Sequence, residues 1–259
     1  MFKKENILFI VLGGFFVTNA LIAEIIGTKL FSVEKIFGLD PANLSLFGQE
    51  GMSFNMTAGV LLWPVVFVMT DIINEYYGRK GVQLLSYLTA ALISYAFLMI
   101  FLSMWVPPAD FWLGSYPDIK PSIEVAYESI MGQGLLIILG SLVAFLVGQL
   151  TDVYAFHYLR RFTGEKMLWF RATGSTLISQ LIDSFIVLGV AFYLPGTWPL
   201  SLFLAVGIVN YIYKFLVAVA LTPALYVVHY AIDSYLGKEK AHELTTQAAK
   251  ESSLTPLKR

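Results

Sequence analysis

Cysteine and charge are both scarce in this sequence. It has no cysteine, which excludes disulfides and thiol chemistry. Its three histidines, His157, His229 and His242, lack the spacing of metal ligands, and neither a metal nor another cofactor is expected. Only 14% of the 259 residues are charged, against about 25% in a typical soluble domain. The net charge of −1 gives no basic surface for nucleic acid, so no nucleic-acid partner is expected.

Apolar residues make up 57% of the chain, more than one compact soluble domain can bury. A helix crosses the hydrocarbon core with about 20 apolar residues. Six segments are long enough: 6–31, 54–77, 82–105, 131–158, 173–194 and 200–230. These runs are too long and too uniformly apolar for the alternating strands of a membrane β-barrel. The predicted fold is therefore all-α, a polytopic membrane protein with six transmembrane helices.

The charges between the predicted spans indicate the orientation. Basic residues concentrate at the N-terminus, at 78–81, at 159–172 and at the C-terminus, whereas 32–53 and 106–130 are mainly acidic. By the positive-inside rule both termini are cytoplasmic, which agrees with an even number of spans. Residues 1–236 form the predicted transmembrane domain. The last residues of 106–130 could form a short interfacial helix, but we expect a plain loop. We expect 237–259 to be a polar cytoplasmic tail, solvated and partly disordered.

Polar and ionisable side chains inside the spans are the main functional signal, because each ionisable group costs about 2.5–3.5 kcal/mol to insert. Spacings of three and four residues put Asp71, Asn74 and Glu75 on one helix face. The acids Glu24, Asp71, Glu75, Asp152 and Asp183 face a single predicted buried cation, Lys214. Several carboxylates must therefore be protonated, hydrated or neutralised by a cation or a cationic solute. This predicts a cavity for a proton-coupled or cation-coupled carrier, or for a donor-rich ligand.

Structural explanations compete with the functional ones at several positions. Asp183 and Lys214 could form a structural ion pair between helices. Glu75 could pair with Arg79, four residues on, and Glu24 could be an interfacial charge. The tryptophans near span ends fit an interfacial aromatic belt: Trp63, Trp105, Trp112, Trp169 and Trp198. Tyr211 and Tyr213 could stack on a ligand or simply pack.

Three motifs together resemble the queuosine-precursor transporter family, also called the VUT family. They are TDIINEYYGR at 70–79, SQLIDS at 179–184 and Tyr213-Lys214, and the similarity runs from the first span to the sixth. The resemblance implies a multi-pass protein of the bacterial inner (cytoplasmic) membrane. It also implies import of 7-deazaguanine bases (preQ0, preQ1 or queuine). The many buried acids favour a secondary carrier, and no enzymatic activity is expected.

A deazaguanine has a ring N–H and an exocyclic amine side by side, and one carboxylate can accept hydrogen bonds from both. We expect Asp183 and Gln180 to contact this edge, with Lys214 as counter-ion or donor to the carbonyl. The other expected substrate-binding residues are Asn210, Gln149, Asp152 and Asn19. The residues expected to form a cytoplasmic gate or coupling site are Asp71, Asn74 and Glu75.

Two alternatives remain open on the sequence alone. A membrane subunit of an energy-coupling-factor vitamin importer is also small and six-spanning, but it depends on a separate ATPase; this chain has no nucleotide-binding Gly-x-x-x-x-Gly-Lys-Ser/Thr loop. An intramembrane aspartyl protease could pair Asp152 with Asp183, although no Gly-x-Gly-Asp motif is present. A chain of this size could also form a homodimer.

Overall fold

The computed structural model describes residues 3–132, 134–163 and 167–253. In chain order its elements are α1 (Lys4–Ile26), β1 (Leu30–Ser32), α2 (Val33–Ile36), β2 (Leu44–Leu46), β3 (Gln49–Met52), β4 (Asn55–Thr57), a 3-10 turn (Ala58–Leu61), α3 (Trp63–Trp105), α4 (Asp110–Gly114), α5 (Ile123–Met131), α6 (Leu135–Thr163), α7 (Leu168–Leu188), a π-helical turn (Gly189–Tyr193), α8 (Leu200–Leu236) and α9 (Lys238–Ser253). Five segments in these ranges are long and apolar enough to cross a membrane. The prediction of an all-α polytopic membrane protein is confirmed at this level.

Helix α3 reverses direction within its 43 residues. Gly78 has φ 65° and ψ −173°, which no helical residue adopts. The Cβ position of Gly81 lies 3.5 Å from Cγ2 of Ile73, although eight residues of straight helix would span about 12 Å. Along α1, the hydroxyl of Tyr77 contacts the carbonyl of Glu5. The first half of α3 (63–77) therefore runs opposite to the second half (79–105).

Contacts with α1 confirm the opposite directions of the two halves. Gly59, just before α3, packs on the backbone of Ala23 near the end of α1. Leu85, beyond the reversal, packs on Gly13 in the middle of α1. The first half of α3 is thus antiparallel to α1 and the second half is parallel to it.

Substitution of Gly78 by alanine should destabilise the protein by about 1–3 kcal/mol. The backbone angles of Gly78 lie in a region that only glycine occupies without strain. A Cβ would stand 3.4 Å from Ala248, an ordinary contact distance, so the cost comes from the backbone angles. Thermal unfolding of the detergent-purified variant should show a lower midpoint. Gly14→Ala is the matched control: nothing lies within 4 Å of that Cβ position, and its midpoint should not fall. Equal midpoints for the two variants would contradict this prediction.

Several predicted span boundaries need correction. The first span ends at Ile26 instead of 31, and the second begins at Trp63 instead of 54. Between them the chain forms two short antiparallel pairs, β1 with β4 and β2 with β3. We call these paired strands, residues 30–57, the hairpin layer. A hydropathy window does not detect such short strands, because their apolar residues extend the apolar runs of the neighbouring spans.

Glu34 organises this hairpin layer. Its carboxylate accepts hydrogen bonds from the amide of Phe54 at 2.8 Å and from the hydroxyl of Ser32 at 2.9 Å. Burial alone would raise the pKa of Glu34, but these hydrogen bonds outweigh it and lower the pKa. The layer contacts the bundle through Met56, which packs with Val209 of α8.

The segment expected to be a plain loop, 106–130, contains two helices, α4 and most of α5. The hydroxyl of Ser122 caps α5 by accepting a hydrogen bond from the amide of Val125 at 3.3 Å. An N-cap serine followed by a short amphipathic stretch favours a helix, and this local signal outweighed the prolines that suggested a loop.

The tail is also more ordered than expected. Residues 238–253 form α9, whose Ala241 and Ala248 are buried against the bundle. The guanidinium of Arg160 donates to the carbonyl of Thr245 at 3.0 Å. The ammonium of Lys240 lies 3.7 Å from the carboxylate of Glu5. The prediction of a partly disordered tail is therefore wrong for α9, whose small residues allow close packing. Lys166 and the last residues of the predicted tail, 254–259, lie outside the described residues.

Candidate functional site

A cavity lies between the first half of α3, α7 and α8. Its empty space measures about 540 Å³, part of which is open to the surroundings. Its polar lining residues are Asp71, Thr173, Thr176, Gln180, Lys214 and Thr222. Its other lining residues are Val60, Trp63, Pro64, Phe67, Val68, Ala172, Ala218, Leu221 and Leu225. A mostly apolar wall with a few convergent polar groups is the usual construction of a ligand site.

Asp71 and Gln180 carry unused hydrogen-bonding capacity in this wall. Both side chains are buried. The hydroxyl of Thr176 donates to Oδ2 of Asp71 at 3.4 Å, while Oδ1 of Asp71 has no hydrogen-bond partner among the described residues. The same holds for the amide donor Nε2 of Gln180. Because buried polar atoms are nearly always paired, an unpaired acceptor and an unpaired donor on one cavity indicate a ligand with complementary groups.

Lys214 and Asp183 form a salt bridge between α8 and α7. The two side chains are largely buried, at 13% and 18% exposure. Lys214 lines the cavity, whereas Asp183 lies outside its lining and faces Gly148 of α6. The two predicted residues therefore meet, but Lys214, not Asp183, is part of the cavity lining. Glu24 lies near Asp183 and accepts a hydrogen bond from Ser141 at 2.9 Å.

Glu75 is paired with two buried arginines. Arg171 of α7 donates to the carboxylate at 2.7 Å, and Arg160 of α6 lies 3.5 Å from it. Sequence analysis put both arginines in a cytoplasmic loop and counted Lys214 as the only buried cation, which is wrong. Arg171 is 1% exposed, because α7 begins at Leu168 and carries the arginine into the bundle.

The suggested partner of Glu75, Arg79, lies elsewhere. Its guanidinium contacts the hydroxyl of Tyr154 and lies 4.1 Å from the centre of that ring. The reversal at Gly78 explains the difference. Residues 75 and 79 are not on one continuous helix, so the spacing of four residues no longer puts them on one face.

Other predicted site residues are occupied by protein contacts and lie outside the lining of this cavity. Asn19 donates to the carbonyl of Phe15 and Asn210 to that of Val206, each within its own helix. Gln149 accepts a hydrogen bond from Thr70 at 2.9 Å.

Two further predicted residues are buried behind the cavity. Asp152 accepts a hydrogen bond from Ser179 at 3.2 Å. An aspartyl protease would pair Asp152 with Asp183, but in this structure Asp183 pairs with Lys214. Asn74 is fully buried, with neither amide atom hydrogen-bonded among the described residues.

Two aromatic residues in the cavity wall were missed as site residues. Trp63 was assigned to an interfacial belt, and Phe67, one turn later on the same face, was not considered. Both line the cavity, and Trp63 also packs on Phe145 with 5.6 Å between ring centres. The available signal was the spacing of four residues from Trp63 to Phe67 and of four more from Phe67 to Asp71. Tyr213, in contrast, packs against the core cluster around Met56.

Comparison with known proteins identifies the family. The family described as "Putative vitamin uptake transporter" matches residues 57–228. The chain belongs to this family. The matched range contains every residue that lines the cavity, whereas α9 lies beyond it. The cavity is therefore built from the part of the chain that the family shares.

Three curated relatives agree with the family assignment. A "Probable queuosine precursor transporter" of Bacillus subtilis is 34% identical over 68% of this chain and 73% of its own length. A protein of the same name from Haemophilus influenzae is 24% identical, covering 76% of this chain and 78% of the relative. The "Queuosine precursor transporter" of Escherichia coli is 23% identical, covering 68% and 73%. No solved structure matches the chain. As a transporter-family member with five long apolar segments, the chain is a multi-pass protein of the bacterial inner membrane.

Proposed function

We propose that this chain imports 7-deazaguanine precursors of queuosine and works as a secondary carrier. Three relatives bear the name queuosine precursor transporter. The single observation that supports this best is the cavity: its largely apolar wall includes Asp71 and Gln180, which carry an unpaired carboxylate oxygen and an unpaired amide donor. Homodimer formation and the absence of a nucleic-acid partner stay predictions.

The proposed topology has six spans with both termini in the cytoplasm. The reversal of α3 divides one of the five long apolar segments into two antiparallel halves, which supports an even count. The ammonium of Lys4 donates to the carbonyl of Tyr235 at 3.1 Å, so the start of α1 and the end of α8 lie at one end of the bundle. Arg79 and Arg160 belong to the same end, which by the positive-inside rule faces the cytoplasm.

Asp71 is the proposed acceptor for the ring N–H and exocyclic amine of the base. This revises the expectation that Asp183 plays that part, because the carboxylate of Asp183 is already neutralised by Lys214. Oδ1 of Asp71 is unpaired, and a carboxylate in a dry pocket gains most from two adjacent donors. Asp71 thus moves from the proposed gate to the proposed substrate contacts.

Gln180 and Lys214 are the proposed donors to the carbonyl oxygen of the base. The amide nitrogen of Gln180 is unpaired, and the ammonium of Lys214 has capacity beyond its bond to Asp183. Trp63 and Phe67 offer flat faces for the ring system. The ligand's donors, acceptor and flat surface would thus each have a partner in the wall.

The direct test is thermal stabilisation of the detergent-purified protein by a panel of compounds. preQ0 and preQ1 should raise the unfolding temperature in a concentration-dependent manner, because a ligand that binds only the folded state stabilises it. Guanine should have a weaker effect and vitamins such as riboflavin none. Stabilisation by a vitamin but by no deazaguanine would refute the proposed substrate class.

The carrier mechanism needs a separate test. Proteoliposomes that contain the purified chain as their only protein should exchange external radiolabelled preQ0 for internal unlabelled preQ0 without ATP. A requirement for an added ATPase module would exclude a secondary carrier and favour the energy-coupling-factor alternative.

A further inference from the structure

A second buried carboxylate lies directly behind the one that lines the cavity. Asp152 of α6 is fully buried and contributes nothing to the cavity wall. It lies close enough to Asp71 for the two carboxylates to repel each other when both are ionised. Thr176 of α7 faces both, and its hydroxyl donates to Asp71 at 3.4 Å. Asp152 is therefore linked to the ligand site through Asp71 and Thr176.

The two carboxylates and the neighbouring Gln149 carry unpaired polar atoms. Oδ1 of Asp71 and Oδ2 of Asp152 have no hydrogen-bond partner in the described part of the chain. Gln149, one turn before Asp152 and 1% exposed, is held by the hydroxyl of Thr70, but its Nε2 donor is also unpaired there. Because such atoms are costly to bury unpaired, they indicate a site that the protein fills with something else.

The charges that face the pair do not neutralise it. Glu75 of α3 and Arg171 of α7 act on Asp71, and they are bonded to each other at 2.7 Å. Lys214 of α8 is bonded to Asp183. Over residues 3–132, 134–163 and 167–253, no basic side chain forms a salt bridge with Asp71 or Asp152. Two adjacent buried carboxylates cannot both remain ionised, so one of them must bind a cation.

We propose that Asp152 binds the proton whose gradient drives uptake, and that it does so when the base is bound to Asp71. This inference rests on the proposed function. A base that donates two hydrogen bonds to Asp71 favours the ionised form of that carboxylate. The proton then belongs on Asp152, which the ligand does not touch. Ligand and proton each improve the binding of the other, which is the coupling that a symporter requires.

A proton fits this position better than a metal cation. A metal ion in an oxygen site needs about six ligands arranged around a space of its own. Asp152 is fully buried, and one of its oxygens is already bonded to Ser179. A proton needs only the free oxygen Oδ2 and occupies no cavity.

Proteoliposomes that contain the full chain provide the test, with radiolabelled preQ0 as the probe. The membrane potential is clamped at zero with potassium and valinomycin, and the interior is made one pH unit more alkaline than the outside. Wild-type protein should accumulate preQ0 about tenfold, since one proton across one pH unit corresponds to a factor of ten. Asp152→Asn should keep exchange of labelled for unlabelled preQ0 but lose accumulation. Asp152→Glu, which retains a carboxyl group, should recover part of it.

Glu24→Gln is the matched control, since it removes another buried carboxyl outside the pair, and it should accumulate preQ0 as wild type does. Accumulation at the wild-type level by Asp152→Asn would overturn the proposal. So would loss of accumulation by Glu24→Gln, or accumulation driven by a sodium gradient instead of the pH gradient. Failure of wild-type protein to exchange preQ0 at all would contradict the proposed function itself.

Discussion

Asp71→Asn is expected to weaken preQ0 binding at least about a hundredfold. The substitution replaces an acceptor of two hydrogen bonds by an amide, one arm of which is itself a donor that faces the donors of the base. Each hydrogen bond to a charged group contributes about 1.5–3 kcal/mol, and 1.4 kcal/mol corresponds to a factor of ten. Binding measured by thermal stabilisation and uptake measured in proteoliposomes should both fall.

An analogue without the exocyclic amine isolates the contact. The analogue 7-deazahypoxanthine should bind wild type more weakly than 7-deazaguanine, because one of the two hydrogen bonds to Asp71 is lost. In Asp71→Asn the difference between the two compounds should largely disappear. Combining the variant with the analogue measures the interaction between the Asp71 carboxylate and the exocyclic amine, separately from any general effect of the substitution.

Asp40→Asn serves as the control for Asp71→Asn, because Asp40 is exposed in the hairpin layer between α1 and α3. It removes the same charge and should bind preQ0 as wild type does. A folded Asp71→Asn protein with unchanged affinity, or one that discriminates the two analogues as wild type does, would show that Asp71 does not contact the base.

The second large effect concerns stability. Arg171→Met should lower the free energy of unfolding by about 3–5 kcal/mol, because it removes the nearer ion-pair partner of the buried Glu75 carboxylate and leaves the more distant Arg160. Met fills much of the volume of the Arg stem, so lost packing contributes little. Detergent-induced unfolding, followed by tryptophan fluorescence, measures the change.

The double variant Glu75→Gln/Arg171→Met separates charge from packing. It removes both members of the pair and should recover most of the lost stability, since no uncompensated carboxylate remains. Arg161→Met is the control, because Arg161 is adjacent to Arg160 in sequence but exposed. It should change stability by less than about 0.5 kcal/mol. A double variant as unstable as Arg171→Met would mean that the arginine acts through packing and not through charge.

The sequence predicted the long apolar helices more accurately than the contacts between them. Apolar run length located the five segments that are long and apolar enough to cross a membrane, because a helix in lipid satisfies its backbone internally and needs only apolar side chains outside. The boundaries were less accurate where other elements adjoin the spans. Residues 54–62 are apolar enough to extend α3, yet they pair as β4 or form a 3-10 turn.

The candidate site was predicted in part. Gln180 and Lys214 line the cavity, and Lys214 forms a salt bridge with Asp183; their roles as substrate contacts stay predictions. Asp71 was assigned to a separate gate, and the two arginines that accompany Glu75 were assigned to a loop. Helical spacing reports which residues share a face, but it does not report which other helix that face contacts.

The sequence by itself determined that the chain is an all-α membrane protein, that carboxylates lie within its spans and that its motifs resemble a transporter family. These properties follow from composition and local spacing, which act along the chain. Only the tertiary structure decided that Asp71 faces the cavity, that Asp183 is held by Lys214, that Glu75 is held by Arg171 and that α9 packs on the bundle. The physical reason is that such partners depend on how the helices rotate about their axes and pack against one another. In a bundle surrounded by lipid, no local sequence pattern fixes those rotations.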